Sequence, residues 1–132
     1  TYVGKKFIKK LYLLKNKMLK KKRVLIMGIT FKENCPDVRN SKVMDIYKYL
    51  KKKNLQLDLF DPVANQEEFK RLYKTKLIKN IRHNFYDGII ISVRHLNFVK
   101  LGFKKIKKYA KKNSIIFDIK SIFPKNSSDF SL

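Results

Sequence analysis

The stretch GITFKENCPDVRNSK, Gly28 to Lys42, decides how the rest of this chain is read. It follows a short apolar run, Arg23-Val-Leu-Ile-Met27, that reads as a buried strand, and it ends where Ser41 opens an amphipathic segment. Lys32, Glu33, Asp37 and Arg39 lie between those points, more charge than a turn needs. A loop that leaves the carboxyl end of a parallel strand and enters a helix is where open α/β sheets bind ligands.

Downstream of that loop, a predicted helix from Ser41 carries Val43, Ile46, Tyr47 and Leu50 on one face, with the Ser41 hydroxyl as N-cap. Leu55 to Phe60 alternates apolar and polar residues, which predicts an edge or half-covered strand, and the run stops at Asp61-Pro62. Asn65 to Tyr73 reads as a short helix capped by Asn65, with Glu67 and Glu68 at its positive end. Over 74–86, Leu77, Ile78 and Ile81 fit either a short strand or a helical turn. Asp87 to Val93 is a nearly continuous apolar run, as in a parallel strand covered on both faces. A loop at 94–97, a lysine-rich helix from Phe98 to Lys112 and a strand from Ser114 to Ile119 complete the pattern. The tail from Pro124 is polar and expected to be loose.

Upstream, Phe7, Ile8, Leu11, Leu14, Met18 and Leu19 recur near a 3.6-residue period, which predicts a helix over 1–20. Residues 1–22 hold nine lysines and no acid, so ion pairs four residues apart cannot support that helix. It must dock its apolar face on something. A chain that opens inside an element reads as a fragment. Strands alternating with helices predict an α/β fold: a Rossmann-like three-layer sandwich with a mostly parallel sheet, preceded by the N-terminal helix.

A chain of 132 residues that is 44% hydrophobic makes one domain with a real core. Its single cysteine, Cys35, excludes a disulfide framework. No apolar run approaches the roughly 18 residues that span a membrane, and no signal peptide is evident, so a cytoplasmic protein is expected. The formal charge of +23 invites a nucleic-acid reading. It rests on 28 Lys and only 5 Arg, however, and Arg is the residue that reads phosphates and bases bidentately. The lysines fall mostly on solvated helix faces. Nucleic-acid binding is therefore not the expected role.

The residues just past the strand ends are 32–39, Asp61, Arg94-His95 and Lys120. In a parallel sheet they converge on one edge and make a cationic cleft flanked by helix N-termini, which suits phosphate. Gly28 is a lone glycine after the first strand, with no GxGxxG or GxxxxGK[ST], so the backbone cradle for a pyrophosphate is missing. Phosphate contact must come from side chains. His95 is expected to be a hydrogen-bonded loop residue rather than a base, and His83 with His95 shows no metal-ligand spacing.

The loop also resembles a known family. Gly28 to Ser41 is similar to G-[LIF]-[TAS]-F-K-x-[ND]-x-x-D-x-R-x-[ST], which marks the C-terminal, UDP-binding domain of the UDP-glucose/GDP-mannose dehydrogenase family. YDGIIISVRHLNF, residues 86–98, resembles that family's YDAIILAVxHxxF. FDIKSIF, residues 117–123, resembles its xxDxKxxL. Three motifs in order, spanning about Val24 to Phe123, make the match specific, and the wording FKENCPDxRN looks like the UDP-N-acetylhexosamine 6-dehydrogenase branch.

The resemblance implies a UDP-sugar ligand, with Phe31, Lys32, Glu33, Asn34 and Lys120 binding substrate and Arg39 reaching toward NAD. It implies that residues 1–22 are the tail of an inter-domain linker helix and 23–132 the UDP-sugar-binding domain. It also implies an N-terminal NAD-binding domain and a central region as partners, and a homodimer when intact. The family's catalytic cysteine thiolate lies upstream, so Cys35 is not expected to be the nucleophile and this chain alone is expected to turn nothing over. Where the family has glycine after the DxK motif this chain has Ser121, which is expected to alter that turn. The rival readings are a stand-alone or degenerate nucleotide-sugar-binding module without turnover, and a basic polyanion-binding protein.

Overall fold

A computed structural model describes residues 1–14 and 21–132. The elements are α1 (Tyr2–Tyr12), β1 (Arg23–Met27), α2 (Val43–Lys51), β2 (Gln56–Phe60), α3 (Gln66–Tyr73), β3 (Tyr86–Ile91), α4 (Leu96–Leu101), α5 (Phe103–Lys107), β4 (Ala110–Asp118) and β5 (Phe130–Ser131). The strands form one sheet in the order β2-β1-β3-β4-β5, and every pairing is parallel. This is the Rossmann-like sheet the alternation predicts, with β2 at the edge as its mixed pattern requires.

Side chains on successive strand residues point to opposite faces. On one face Val24, Ile26, Ile90, Ile115 and Phe117 pack with Phe7 and Leu11 of α1, Val43 and Leu50 of α2 and Phe69 of α3. On the other, Leu25, Met27, Ile89, Ile91 and Ile116 pack with Phe98 and Ile106 of α4 and α5. Sheet and two helical layers thus share two cores. The acid-poor helix α1 is held by docking: Phe7 sits edge-on to Phe117 at 5.0 Å and lies against Gly88, where any Cβ would run into its ring.

Several local expectations are corrected. Helix α1 ends at Tyr12, with Leu13 as C-cap. Met18 and Leu19 lie outside the described residues. Ser41 does not cap α2 with its hydroxyl, which has no partner among the described residues. Lys42 is already helical (φ −67, ψ −22), and the first amides close short turns instead, Met44 N onto Ser41 O and Asp45 N onto Lys42 O. Asn65 does cap α3, accepting from the Glu68 amide at 3.0 Å.

Of the segment 74–86, residues 74–85 hold neither strand nor helix, and Tyr86 already opens β3. The segment lies along the edge strand, with the Ile78 amide on Leu59 O at 2.8 Å and Leu77 buried. The helix expected over Phe98–Lys112 begins at Leu96 and breaks at Gly102, whose φ of +85 lies in the left-handed region that glycine tolerates. By Tyr109 the chain has joined the sheet, since its carbonyl accepts from the amides of Phe85 and Tyr86, and β4 starts at Ala110. The polar tail is not loose at its end. Phe130 lies 4.7 Å from the Phe117 ring, Asp129 exchanges bonds with Ile116, and β5 extends the sheet.

Candidate functional site

The carboxyl ends of β1, β3 and β4 open onto a cleft of about 490 Å³. The loop after β1 contributes Thr30, Phe31, Lys32 and Glu33 and, just before α2, Asn40 and Lys42. Arg94 enters after β3 and Lys120 after β4. The floor is apolar, built from Val43, Ile46, Val93 and Ile119. Four cations therefore border a half-apolar cavity.

None of those four is in an ion pair among the described residues, where the pairs are Arg39–Asp37, His95–Asp61 and Lys111–Asp87. Unpaired ammonium and guanidinium groups at strand ends attract anions, and phosphate oxygens above all. Phe31 is 58% exposed beside them, an aromatic face held out toward solvent. An anion carrying a ring or a sugar matches both halves of such a cleft.

The loop from Gly28 to Lys42 owes its shape to bonds that reach across strand ends. The Ile29 amide donates to Asp61 Oδ2 at 2.8 Å, and Asp61 Oδ1 accepts from the amides of Val63 and Ala64. His95 Nε2 lies 2.9 Å from Asp61 Oδ2, and both side chains are fully buried. The Asn34 amide donates to His95 Nδ1 at 3.0 Å, while Asn34 Oδ1 accepts from the Leu96 amide at 2.8 Å. Burial acts to raise the Asp61 carboxyl, but the bonds from His95 and from the Ile29 and Val63 amides outweigh it and hold the group below its ordinary value.

A second carboxylate shapes the loop that carries Lys120. Asp118 is fully buried and accepts from the amides of Ile122 at 3.0 Å and Phe123 at 2.9 Å. Those bonds close the turn from which Lys120 projects. Ser121 takes φ +51 within it, so the turn keeps a left-handed residue although the glycine that would adopt it freely is absent.

The cleft thus collects Phe31, Lys32, Glu33 and Lys120 of the residues expected from sequence. Asn34 and Arg39 do not line it. Asn34 spends its side chain and amide on the α4 loop. Arg39 is 69% exposed and forks onto its neighbour, Nε to Asp37 Oδ1 at 3.1 Å and Nη2 to Asp37 Oδ2 at 3.0 Å. That fork, joined by the Arg39 amide, lowers the Asp37 carboxyl to about 2, and Asp37 in turn raises Arg39.

Lys42 and the apolar floor were not read from sequence as site residues, although the helix that follows a binding loop is its natural opposite wall. Cys35 is a half-buried free thiol in the same loop, outside the cleft lining. Among the described residues, no three His, Cys, Asp or Glu side chains gather to hold a metal, and no helix is long and apolar enough to cross a membrane.

Comparison with known proteins bears on this cleft. The model of the UDP-glucose/GDP-mannose dehydrogenase family, UDP binding domain, matches residues 25–125. The chain is 42% identical over 110 residues to UDP-N-acetyl-D-glucosamine 6-dehydrogenase of Pseudomonas aeruginosa, and 38% identical over 109 residues to the protein of that name from Salmonella typhi. Each alignment covers 83% of this chain but 26% of the relative, so the chain spans about a quarter of their length. A solved structure of NDP-N-acetyl-D-galactosaminuronic acid dehydrogenase from Methanosarcina mazei Go1 superposes with a TM-score of 0.78 at 17% identity. That superposition covers 96% of this chain and 26% of the other, and it shows likeness of fold.

Proposed function

The chain belongs to the UDP-glucose/GDP-mannose dehydrogenase family, and from that premise we propose that it is the UDP-sugar-binding C-terminal domain of an NAD-dependent UDP-N-acetylhexosamine or UDP-glucose 6-dehydrogenase of surface polysaccharide biosynthesis. In this reading residues 1–22 are the tail of a linker helix and residues 23–132 the binding domain. The observation that supports it most is the set of four cations, unpaired among the described residues, around an apolar floor at the carboxyl rim of the sheet. Lys32 and Lys120 take the diphosphate, with Arg94 and Lys42 beside them. Phe31 and Glu33 meet the nucleoside and sugar, and Asn34 acts by shaping the loop. Arg39, exposed and outside the cleft lining, is assigned to the NAD of the assembled enzyme.

Such an enzyme oxidises the sugar C6 from alcohol to carboxylate with NAD as acceptor. The residues here do not fit a dinucleotide of their own. Gly28 has the φ of +95 that a cradle uses, but the space beside its Cα is filled by Val93, 2.8 Å from where a Cβ would stand. Its freedom therefore serves close packing of two strand ends, and no chemical step is assigned to this chain. NAD, the catalytic thiol and the dimer contact belong to further parts of the enzyme, which would work in the cytoplasm.

The test is calorimetric titration of the chain with UDP and UDP-N-acetylglucosamine at low and high salt. Saturable one-to-one binding with a shallow salt dependence is the expected result. A steep slope for any polyanion, with no saturable UDP binding, would instead favour a basic surface that binds by counterion release.

A further inference from the structure

The buried Asp61–His95 pair touches no ligand in the reading above, yet it joins the loops after β1, β2 and β3, the first and last of which frame the cleft. We propose that His95 is a positioning residue. By accepting at Nδ1 and donating from Nε2, it locks the segment from Thr30 to Asn34, and so the Lys32 backbone, in the arrangement that receives an anionic ligand. What the loop is positioned for rests on the proposed UDP site. The lock itself does not.

The hydrogen bonds leave one tautomer. A backbone amide has only a proton to give, so the Asn34 N–H, 3.0 Å from Nδ1, requires a lone pair there. A carboxylate only accepts, so Asp61 Oδ2, 2.9 Å from Nε2, requires the ring proton on that side. The Thr30 hydroxyl, 3.2 Å from Nε2, gives its own proton to Lys32 O at 2.9 Å and can share the ring's. The ring is fully buried, so water cannot stand in for any of these partners.

Lys32 and Glu33 thus hang between two fixed points. Thr30 is held at one end, and at the other Asn34, in a left-handed turn at φ +58, is tied to His95 and Leu96. A loop already ordered before the ligand arrives surrenders less freedom on binding, and its affinity rises accordingly. A second proton on the ring would set an N–H against the Asn34 N–H and open that contact, while the bond to Asp61 persists. The groups facing the ring are Asp61 from the end of β2, Thr30 and Asn34 from the loop after β1, and the Phe98 ring of α4 at 5.4 Å. Asp61 alone of these is charged.

The experiment treats the two ring nitrogens separately. Asn at position 95 can set its carbonyl near the place of Nδ1 and accept from Asn34, whereas Gln reaches the place of Nε2 and serves Asp61. His95→Gln is expected to lose hydrogen-exchange protection at the Asn34 amide and to weaken UDP binding about tenfold, the scale of one buried hydrogen bond. His95→Asn is expected to keep that protection and to bind UDP within about threefold of wild type, a loss well below one such bond. In the unsubstituted chain, nitrogen-15 spectra near neutral pH should show Nδ1 bare and Nε2 protonated, a readout that stands even if neither variant folds. The opposite tautomer overturns the proposal, as does a Gln variant that keeps both Asn34 protection and UDP affinity. If the wild-type chain binds no UDP while Asn34 protection follows the variants as stated, the ligand assignment falls and the lock stands.

Discussion

At the amino ends of the strands, Arg23 lies 4.2 Å and Arg82 4.8 Å from the centre of the Phe85 ring, and Lys111 Nζ sits 3.2 Å from Asp87 Oδ1. At the carboxyl ends, Asp61 and Asp118 are both buried, and their oxygens are taken by backbone amides and His95. At the amino rim those cations go to an aromatic face and to Asp87, which also accepts from the Arg23 amide at 2.8 Å. The other rim gives Asp61 and Asp118 to amides and His95, and Asp37 to Arg39, and among the described residues leaves Lys32, Lys42, Arg94 and Lys120 unpaired. Both rims belong to one sheet in a chain of net charge +23, so positive charge alone marks nothing. What distinguishes the carboxyl rim is four cations with no acid partner among the described residues.

The largest effect that would break this contrast concerns the two kinds of aspartate. Asp61→Ala strands the Ile29, Val63 and Ala64 amides and the His95 ring, and should cost about 3 kcal/mol or more in urea unfolding. Asp87→Ala strands a single amide, that of Arg23, and the half-exposed Lys111, and should cost less, about 1–2 kcal/mol. Equal losses would mean that the carboxyl rim is no more tightly built than the amino rim.

The Asp61 carboxyl also titrates in a stated direction. Its folded value is lowered, so its contribution is complete above the ordinary carboxylate value of about 3.9 and disappears as pH falls through the lower folded value. Stability of the wild-type chain should therefore decline in acid, and Asp61→Asn should show a shallower decline. An undiminished acid limb in that variant would remove Asp61 from the account.

Part of this contrast is legible in the sequence and part is not. β1 and β3 declare themselves as unbroken apolar runs because both faces are covered, and β2 declares its edge position by alternating. The cations of the cleft follow once the strand ends are known, since a parallel sheet brings those ends together. The use of the acids does not follow. Asp61-Pro62 reads as a chain breaker, and nothing local says that the carboxylate closes onto Ile29, 32 residues earlier, or onto His95, 34 residues later. The early end of the lysine-rich helix at Lys107 is hidden for a related reason. Lys104, Lys105, Lys107 and Lys108 suit a solvated helix face, while the pull that ends the helix comes from pairing of Tyr109 with Phe85 and Tyr86. Phe130 looks like an apolar residue in a polar tail until Phe117 lies beneath it.

Two smaller effects sharpen the comparison. Lys32→Ala should weaken UDP about tenfold, one charge-assisted bond, and change unfolding stability by less than about 0.5 kcal/mol, as for a surface substitution. Arg82→Ala should do the reverse, costing about 0.5 kcal/mol through its lost contact with Phe85 and leaving UDP affinity as it was. Calorimetry and urea unfolding on the same preparations read both.

The central claim is that the carboxyl rim is a diphosphate site and not merely a basic surface. It is tested most directly with two charge-matched double variants, Lys32→Ala with Lys120→Ala at the carboxyl rim and Arg82→Ala with Lys111→Ala at the amino rim. Each removes two positive charges, and each is titrated with UDP and with UMP. The wild-type chain should prefer UDP by about tenfold or more, the scale of one charge-assisted bond to the second phosphate. The amino-rim variant should keep that preference and the carboxyl-rim variant should lose it. Equal loss in both variants, or no preference for UDP in the wild-type chain, would contradict the account.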